Sequence, residues 1–332
     1  MRIFSGIQPT GRKHLGNYIG AILQYVEGQD RGDPAIYCIV DLHATTVAYD
    51  PAELRRRSRE TAALLVAAGL DPERCVLFRQ GDVPEHTELT WLLSSVTSLG
   101  QLSRMHQFRD KSAAQRERVS AGLLYYPVLM AADVLAYRAH EVPVGEDQRE
   151  HIELMRDVAT DFNKRFGETL VVPEGKIPTV GARVRDLKDP ERKMSTTGGT
   201  PAGTVYVDEA PDEIVKKFKR AETDSGREIV VAADKPGISN LIEILAVVRG
   251  VSPDAIEADF ADAPGYGVFK TAVGEEVAAW LAPVRERYAA LREDTAAIEA
   301  ILAAGRERAR ELSAPLVADV REAMGVGPSR AA

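Results

Sequence analysis

The hexapeptide Ala35-Ile36-Tyr37-Cys38-Ile39-Val40 is apolar from end to end and stops at Asp41-Leu42-His43. Its length suits a strand buried on both faces better than a helix. Such a strand needs cover above and below, which a parallel sheet flanked by helices supplies. The surrounding sequence has the matching rhythm. Residues 2–4 form a short strand candidate, and Leu15, Tyr18, Ile19, Ile22, Leu23 and Val26 then recur at helical spacing. Asp50-Pro51-Ala52-Glu53 reads as an N-cap followed by proline at the first helical position, opening a helix to about Gly69. Residues 76–78 give another strand and residues 85–99 another helix. The fold class predicted for this half is α/β.

Further along, residues 120–137 read as a buried helical segment with Pro127 at its start, residues 141–144 as a strand and residues 147–166 as a helix. After Asp189-Pro190 the character changes. Apart from an extended piece at residues 204–207, nearly everything reads as helix, with long segments at 238–248, 266–288 and 295–320. A chain of 332 residues exceeds one ordinary domain. Two are therefore predicted, residues 1–195 with the parallel sheet and residues 196–332 mostly helical. No internal repeat appears, and the tail from Gly325 reads as frayed.

Composition excludes several classes. A hydrophobic fraction of 45% with 28% charged residues supports a packed core rather than disorder. No apolar run has membrane-spanning length, and the N-terminus lacks a signal-peptide pattern, so a cytoplasmic location is expected. Cys38 and Cys75 both lie in strand-like runs and are read as core residues. The net charge of −8 does not advertise a nucleic-acid partner. Local basic runs exist at Arg55-Arg56-Arg57 and from Lys216 to Arg220, although such runs are more often solvated helix faces. His86, His106, His140 and His151 show no metal-ligand spacing and are read as structural.

Two loops carry the chemistry. The first, Gly6-Ile7-Gln8-Pro9-Thr10-Gly11-Arg12-Lys13-His14-Leu15-Gly16-Asn17, joins a strand to a helix. It is neither a dinucleotide fingerprint nor a P-loop, yet it offers glycines for close backbone approach and a helix N-terminus suited to phosphate. The second, Asp189-Pro190-Glu191-Arg192-Lys193-Met194-Ser195-Thr196-Thr197-Gly198-Gly199, sets one lysine beside a Met-Ser pair. In this order, His-Leu-Gly-Asn and Lys-Met-Ser resemble the HIGH and KMSKS signatures of class I aminoacyl-tRNA synthetases. Asn17 occupies the last HIGH position, and Thr196 and Thr197 replace the second lysine and final serine of KMSKS. The segments 4–11, 126–133, 142–148 and 235–240 resemble the bacterial-type tryptophanyl-tRNA synthetases specifically. The resemblance spans about residues 1–325.

That resemblance implies a Rossmann-like catalytic domain, an anticodon-binding helical domain, and a homodimer that activates L-tryptophan with ATP and charges tRNA(Trp). Lys193, Lys111, His14 and Ser195 would be catalytic, with Lys193 and Lys111 on the leaving pyrophosphate. Gln8, Pro9, Thr10, Gly16, Asn17, Gly145, Glu146, Asp147, Val184, Met194, Ser195, Thr196 and Thr197 would contact ATP. Mg²⁺ would arrive with the triphosphate, bound by phosphate oxygens and water rather than by a protein cage. Tryptophan would meet Asp133 at the indole N–H, and Phe4, His43, Met130, Val142 and Val144 around the ring. Tyr126 and Gln148 would hold its α-ammonium group. From the residues alone, Asp133 is a single carboxylate in an apolar helix, which needs a donor: a protein partner such as arginine, or a ligand. His43 could equally be a satisfied core histidine. Lys216 to Arg220 and Thr223-Asp224-Ser225 are candidates for tRNA contact. The rival readings are a tyrosyl-tRNA synthetase, an RNA-free tryptophan-binding or adenylating paralogue, and a catalytically impaired copy motivated by Thr196.

Overall fold

In the computed structural model, which describes residues 1–32, 34–109, 119–145, 148–176, 184–196 and 198–328, the first five residues of the apolar hexapeptide form a strand buried along its length. Lys111, Glu146, Asp147 and Thr197 lie outside the described residues. The strands are β1 (Ile3–Ile7), β2 (Ala35–Ile39), β3 (Val76–Arg79), β4 (Glu141–Pro143) and β5 (Glu174–Lys176). All pair in parallel, in the order β3-β2-β1-β4-β5. The order reverses at β1, so the loops leaving β1 and β4 flank the crevice where open α/β sheets bind ligands. Gln8, Pro9 and Thr10 follow β1, and Gly145 follows β4.

One strand has no counterpart in the sequence reading. Glu174-Gly175-Lys176 is exposed throughout and carries no apolar signal. Backbone pairing alone makes it a strand: Glu174 N donates to His140 O at 2.8 Å and Val144 N to Lys176 O at 3.0 Å. The Ala121–Leu135 helix also differs from expectation. Ser120 caps it by accepting from Leu123 N, and Pro127 sits inside it rather than at its start. Proline has no N–H to give Leu123 O, but the helix continues. Tyr126, Met130 and Asp133 therefore fall at i, i+4 and i+7, on one stripe.

The chain forms two compact units, and each is discontinuous. The first comprises Met1–Thr10, Tyr25–Ile177 and Asp294–Ala332; the second comprises Gly11–Gln24 and Pro178–Glu293. In the first unit, the Thr295–Met324 helix lies on β3, where a Cβ on Gly305 would fall 1.8 Å from Leu77 O. Only glycine permits that approach. Arg308 donates to the carbonyls of Pro72 and Cys75, and Ala309, Leu316, Val317 and Val320 share one buried core with Phe4, Ile36 and Phe78.

The second unit gathers the helices Pro211–Lys219, Pro236–Arg249, Pro253–Asp259 and Tyr266–Glu293. Residues 13–15 join it as an extended partner of residues 205–207: Leu15 N donates to Val205 O at 2.8 Å and Val207 N to Lys13 O at 3.0 Å. Tyr18 sets its ring edge-on to Trp280 at 5.1 Å. Among the described residues no helix is long and apolar enough to cross a membrane.

Candidate active site

Asp133 is 2% exposed and lies in the last turn of its helix. Burial and the negative end of the helix dipole both oppose a charge there. Three side chains answer it. His43 Nε2 stands 2.8 Å from Oδ2, His86 Nδ1 stands 2.6 Å from Oδ1, and Gln80 Nε2 donates to Oδ1 at 2.7 Å. Burial pushes the carboxyl pKa up, but the hydrogen bonds and charges of His43 and His86 outweigh it and bring it to about 2. Asp133 is thus an ionised acceptor at neutral pH. His86 Nε2 faces the Tyr137 hydroxyl at 2.7 Å, and Gln80 Oε1 accepts from Leu42 N at 3.1 Å, so both donors are themselves held.

The helix that carries Asp133 is set in an apolar core through Val128, Ala131, Ala132, Val134 and Leu135. Phe4 and Val142 belong to the buried core, with Met130 and Val144 half-buried against it. Phe4 stacks on Tyr137 at 5.5 Å, and His43 stands edge-on to Tyr126 at 6.0 Å. The Tyr126 hydroxyl donates to Gln107 Oε1 at 3.1 Å and lies 2.9 Å from His151 Nε2. Burial, with Glu150 adding to it, pushes Tyr126 up to about 12 and keeps it neutral. Gln148 precedes the Arg149–Phe166 helix and donates its backbone N–H to Gly145 O at 3.0 Å.

The two signature loops meet within the second unit. His14 caps the Leu15–Asn17 turn. Its Nδ1 accepts from Asn17 N at 3.3 Å, while Asn17 Oδ1 accepts from His14 N at 3.2 Å. Nδ1 being an acceptor, the ring proton belongs on Nε2. Burial first, then Lys13 and Lys193, brings His14 down to about 4, so the ring is neutral at physiological pH. A Cβ at Gly16 would crowd the His14 ring at 3.1 Å and Val184 at 3.5 Å.

Met194 is buried and donates its N–H to Val184 O at 2.9 Å, whereas Lys193 is exposed. Ser195 Oγ accepts from Gly198 N at 3.2 Å, and Thr196 Oγ1 donates to Arg12 O at 3.3 Å. Asp186 organises the segment: its carboxylate accepts from Lys188 N, Asp189 N, Thr200 N and Thr200 Oγ1. A Cβ at Gly203 would fall 1.7 Å from Asp186 Oδ1. Asn240 clamps both backbone groups of Arg185, accepting from N at 2.9 Å and donating to O at 3.2 Å.

The family described as tRNA synthetases class I (W and Y) matches residues 1–282. The tryptophan–tRNA ligase 1 of Streptomyces avermitilis is 46% identical over 98% of both chains. The chain belongs to the tryptophan–tRNA ligases. That of Wolinella succinogenes is also 46% identical, again over 98% of each chain. Among solved structures, the tryptophanyl-tRNA synthetase of Mycoplasma pneumoniae superposes with a TM-score of 0.90 at 32% identity, covering 98% of both chains. The Campylobacter jejuni enzyme complexed with ADP and tryptophan gives 0.83 at 32% identity, covering 98% of this chain and 100% of its own. A tyrosyl-tRNA synthetase from Aeropyrum pernix, at 20% identity and a TM-score of 0.69, shares the fold.

Within the ligase, the residues expected around tryptophan all lie in the first unit, as do Gln8, Pro9, Thr10 and Gly145. His14, Gly16, Asn17, Val184, Lys193, Met194, Ser195 and Thr196 lie in the second. Sequence reasoning missed Gln80, Asp186 and the direct contact of His86 with Asp133. It also missed His151 beside Tyr126. The available signal was indirect: a carboxylate in the last turn of an apolar helix requires donors, and polar residues just past a strand end are natural suppliers. The basic run is partly engaged, Lys216 with Glu213 at 2.9 Å and Lys217 with Thr204 O at 2.6 Å. Asp224 accepts from Tyr266 Oη at 2.8 Å and Gly226 N at 2.7 Å, which gives the 223–225 segment a structural use. Among the described residues, no cluster of three or more His, Cys, Asp or Glu is placed to hold a metal ion.

Proposed function

We propose that the chain activates L-tryptophan with ATP, forming tryptophanyl-adenylate and pyrophosphate, and then esterifies the 3′-terminal adenosine of tRNA(Trp). The observation that carries this reading is Asp133, an ionised carboxylate on a helix set in the apolar core, suited to a ring N–H. Activation is an in-line attack of the tryptophan carboxylate on the α-phosphorus, so positioned donors and cations matter more than acids or bases. Exposed Lys193 suits the pyrophosphate, with Lys111 as the second cation. Neutral His14 would donate from Nε2, and Gln8, Pro9, Thr10, Gly16, Asn17, Gly145, Val184, Met194 and Ser195 would line ATP. Mg²⁺ would enter with the triphosphate as part of the substrate. Phe4, His43, Met130, Val142 and Val144 would wall the indole, and Tyr126 and Gln148 would hold the α-ammonium.

The anticodon-binding role assigned to residues 196–332 fits best on the helices of residues 211–293, because residues 294–332 spend their apolar face on the sheet unit. Trp91 at 75% exposure and Leu99 at 67%, both in that unit, are surfaces a second copy in a homodimer would cover. A cytoplasmic location suits tRNA charging. Amino-acid-dependent exchange of pyrophosphate into ATP, run with every proteinogenic amino acid, tests the reading. Exchange with tryptophan alone is expected, and exchange with tyrosine instead would overturn it.

A further inference from the structure

The donors around Asp133 are distributed unevenly. Among the described residues, Oδ1 takes two, from Gln80 and His86, and Oδ2 takes one, from His43. An ionised carboxylate offers about four acceptor positions. The remaining one is on Oδ2.

Each donor is also fixed from behind. The Gln80 amide cannot turn over without losing Leu42 N, and that same contact anchors the backbone next to His43. Tyr137 is buried and its hydroxyl lies 2.7 Å from His86 Nε2, which holds the ring with Nδ1 facing Asp133. Cys38, on β2, also acts on Asp133, and burial pushes its thiol pKa up and keeps it neutral. The N–H groups that Gln80, His86 and His43 turn toward Asp133 are all spent on its carboxylate. Among the described residues, what the carboxylate leaves for a ligand is an acceptor position on Oδ2.

Resting on the tryptophan reading above, we propose that Gln80, His86 and Tyr137 are positioning residues that fill Asp133 Oδ1 and aim Oδ2, making an acceptor-only site selective for a ring bearing a pure donor. An indole N–H satisfies such a site. A phenol O–H fits it less well, because its oxygen is also an acceptor and a carboxylate has nothing to donate to it. A sulfur isostere of the indole ring brings no donor and leaves Oδ2 short of a partner, a cost selectivity can exploit.

The test is equilibrium binding of tryptophan and of its benzothiophene isostere by calorimetry, with KM and kcat for both amino acids from pyrophosphate exchange. The wild type should prefer tryptophan by about 10- to 100-fold, the range expected for a hydrogen bond to a charged group. His86→Leu and Gln80→Leu should cut that ratio to about threefold or less, acting on the tryptophan KM rather than on kcat or the ATP KM. His86→Asn, which keeps a donor at the δ position, should restore most of it. If His86→Leu does not fold, Tyr137→Phe carries the test, since it removes the partner of His86 Nε2 at nearly constant volume and should lower the ratio. An unchanged ratio in the folded variants would overturn the inference and leave the tryptophan reading standing. A wild type that binds no tryptophan would overturn that reading, and the inference with it.

Discussion

Asp133 and Asp186 are equally hidden, at 2% and 1% exposure, and among the described residues neither is paired with lysine or arginine. Their donors differ in origin. Asp133 is held by side chains from three separated stretches, around residues 43, 80 and 86. Asp186 is held by backbone N–H groups and one hydroxyl from residues 188–200. A carboxylate that collects backbone donors nearby fixes the course of the chain. One that collects side-chain donors across the fold, and keeps an acceptor position over, fixes a charge for something else to use. The buried charge alone does not separate structure from function; the source of its donors does.

The sharpest way to break this contrast is Asp133→Ala. It should lower kcat/KM for tryptophan by about 100-fold or more, since it removes a charged acceptor and strands buried donors. The KM for ATP should stay within about twofold; an equal rise in both constants would show that Asp133 shapes the fold as Asp186 does. Next comes Asp186→Ala, which leaves the N–H groups of Lys188, Asp189 and Thr200 without their acceptor. It should cost on the order of 2–3 kcal/mol in urea unfolding, while calorimetric tryptophan affinity stays unchanged.

Acid sharpens the comparison further. Asp133 sits at about 2 in the folded chain, below the ~3.9 of an unfolded aspartate. Its ionisation therefore contributes stability that is complete above about pH 4 and is lost as pH falls towards 2, on the order of 2 kcal/mol in all. Urea midpoints measured across that window should show a shallower acid limb in Asp133→Asn; an unaltered limb would mean that other carboxylates set it. The smallest effect belongs to Thr196→Lys. It should change the rate of adenylate formation by about tenfold or less and leave tryptophan affinity alone. A shift in tryptophan affinity would mean that this loop is not the ATP loop.

Much of this was readable from residue order. The strands through β4 follow from their apolar content, and the long helices of the second half from their periodicity. The paired signatures at residues 14–17 and 193–195 announced the chemistry. β5 was not readable, because Glu-Gly-Lys is a strand only through its neighbour's backbone. The Asp133 array was half-readable: the carboxylate stood out, but its partners come from turns whose meeting depends on the packed sheet. His86 in particular reads as structural because its spacing to the other histidines and the cysteines matches no metal site, and nothing local ties it to Asp133. The return of residues 294–332 to the sheet unit left one trace, Gly305 amid helix formers. Why a glycine stands there becomes evident only when Leu77 O is seen beside it.

That return has a consequence for how the molecule is made. Synthesis runs from the N-terminus, so the sheet and most of its helices emerge long before the helix that closes over β3. Until residues 294–324 are released, the β3 side of the sheet lacks its cover. The second unit, by contrast, has all its segments once residue 293 is out. The part of the chain translated first is therefore the part finished last.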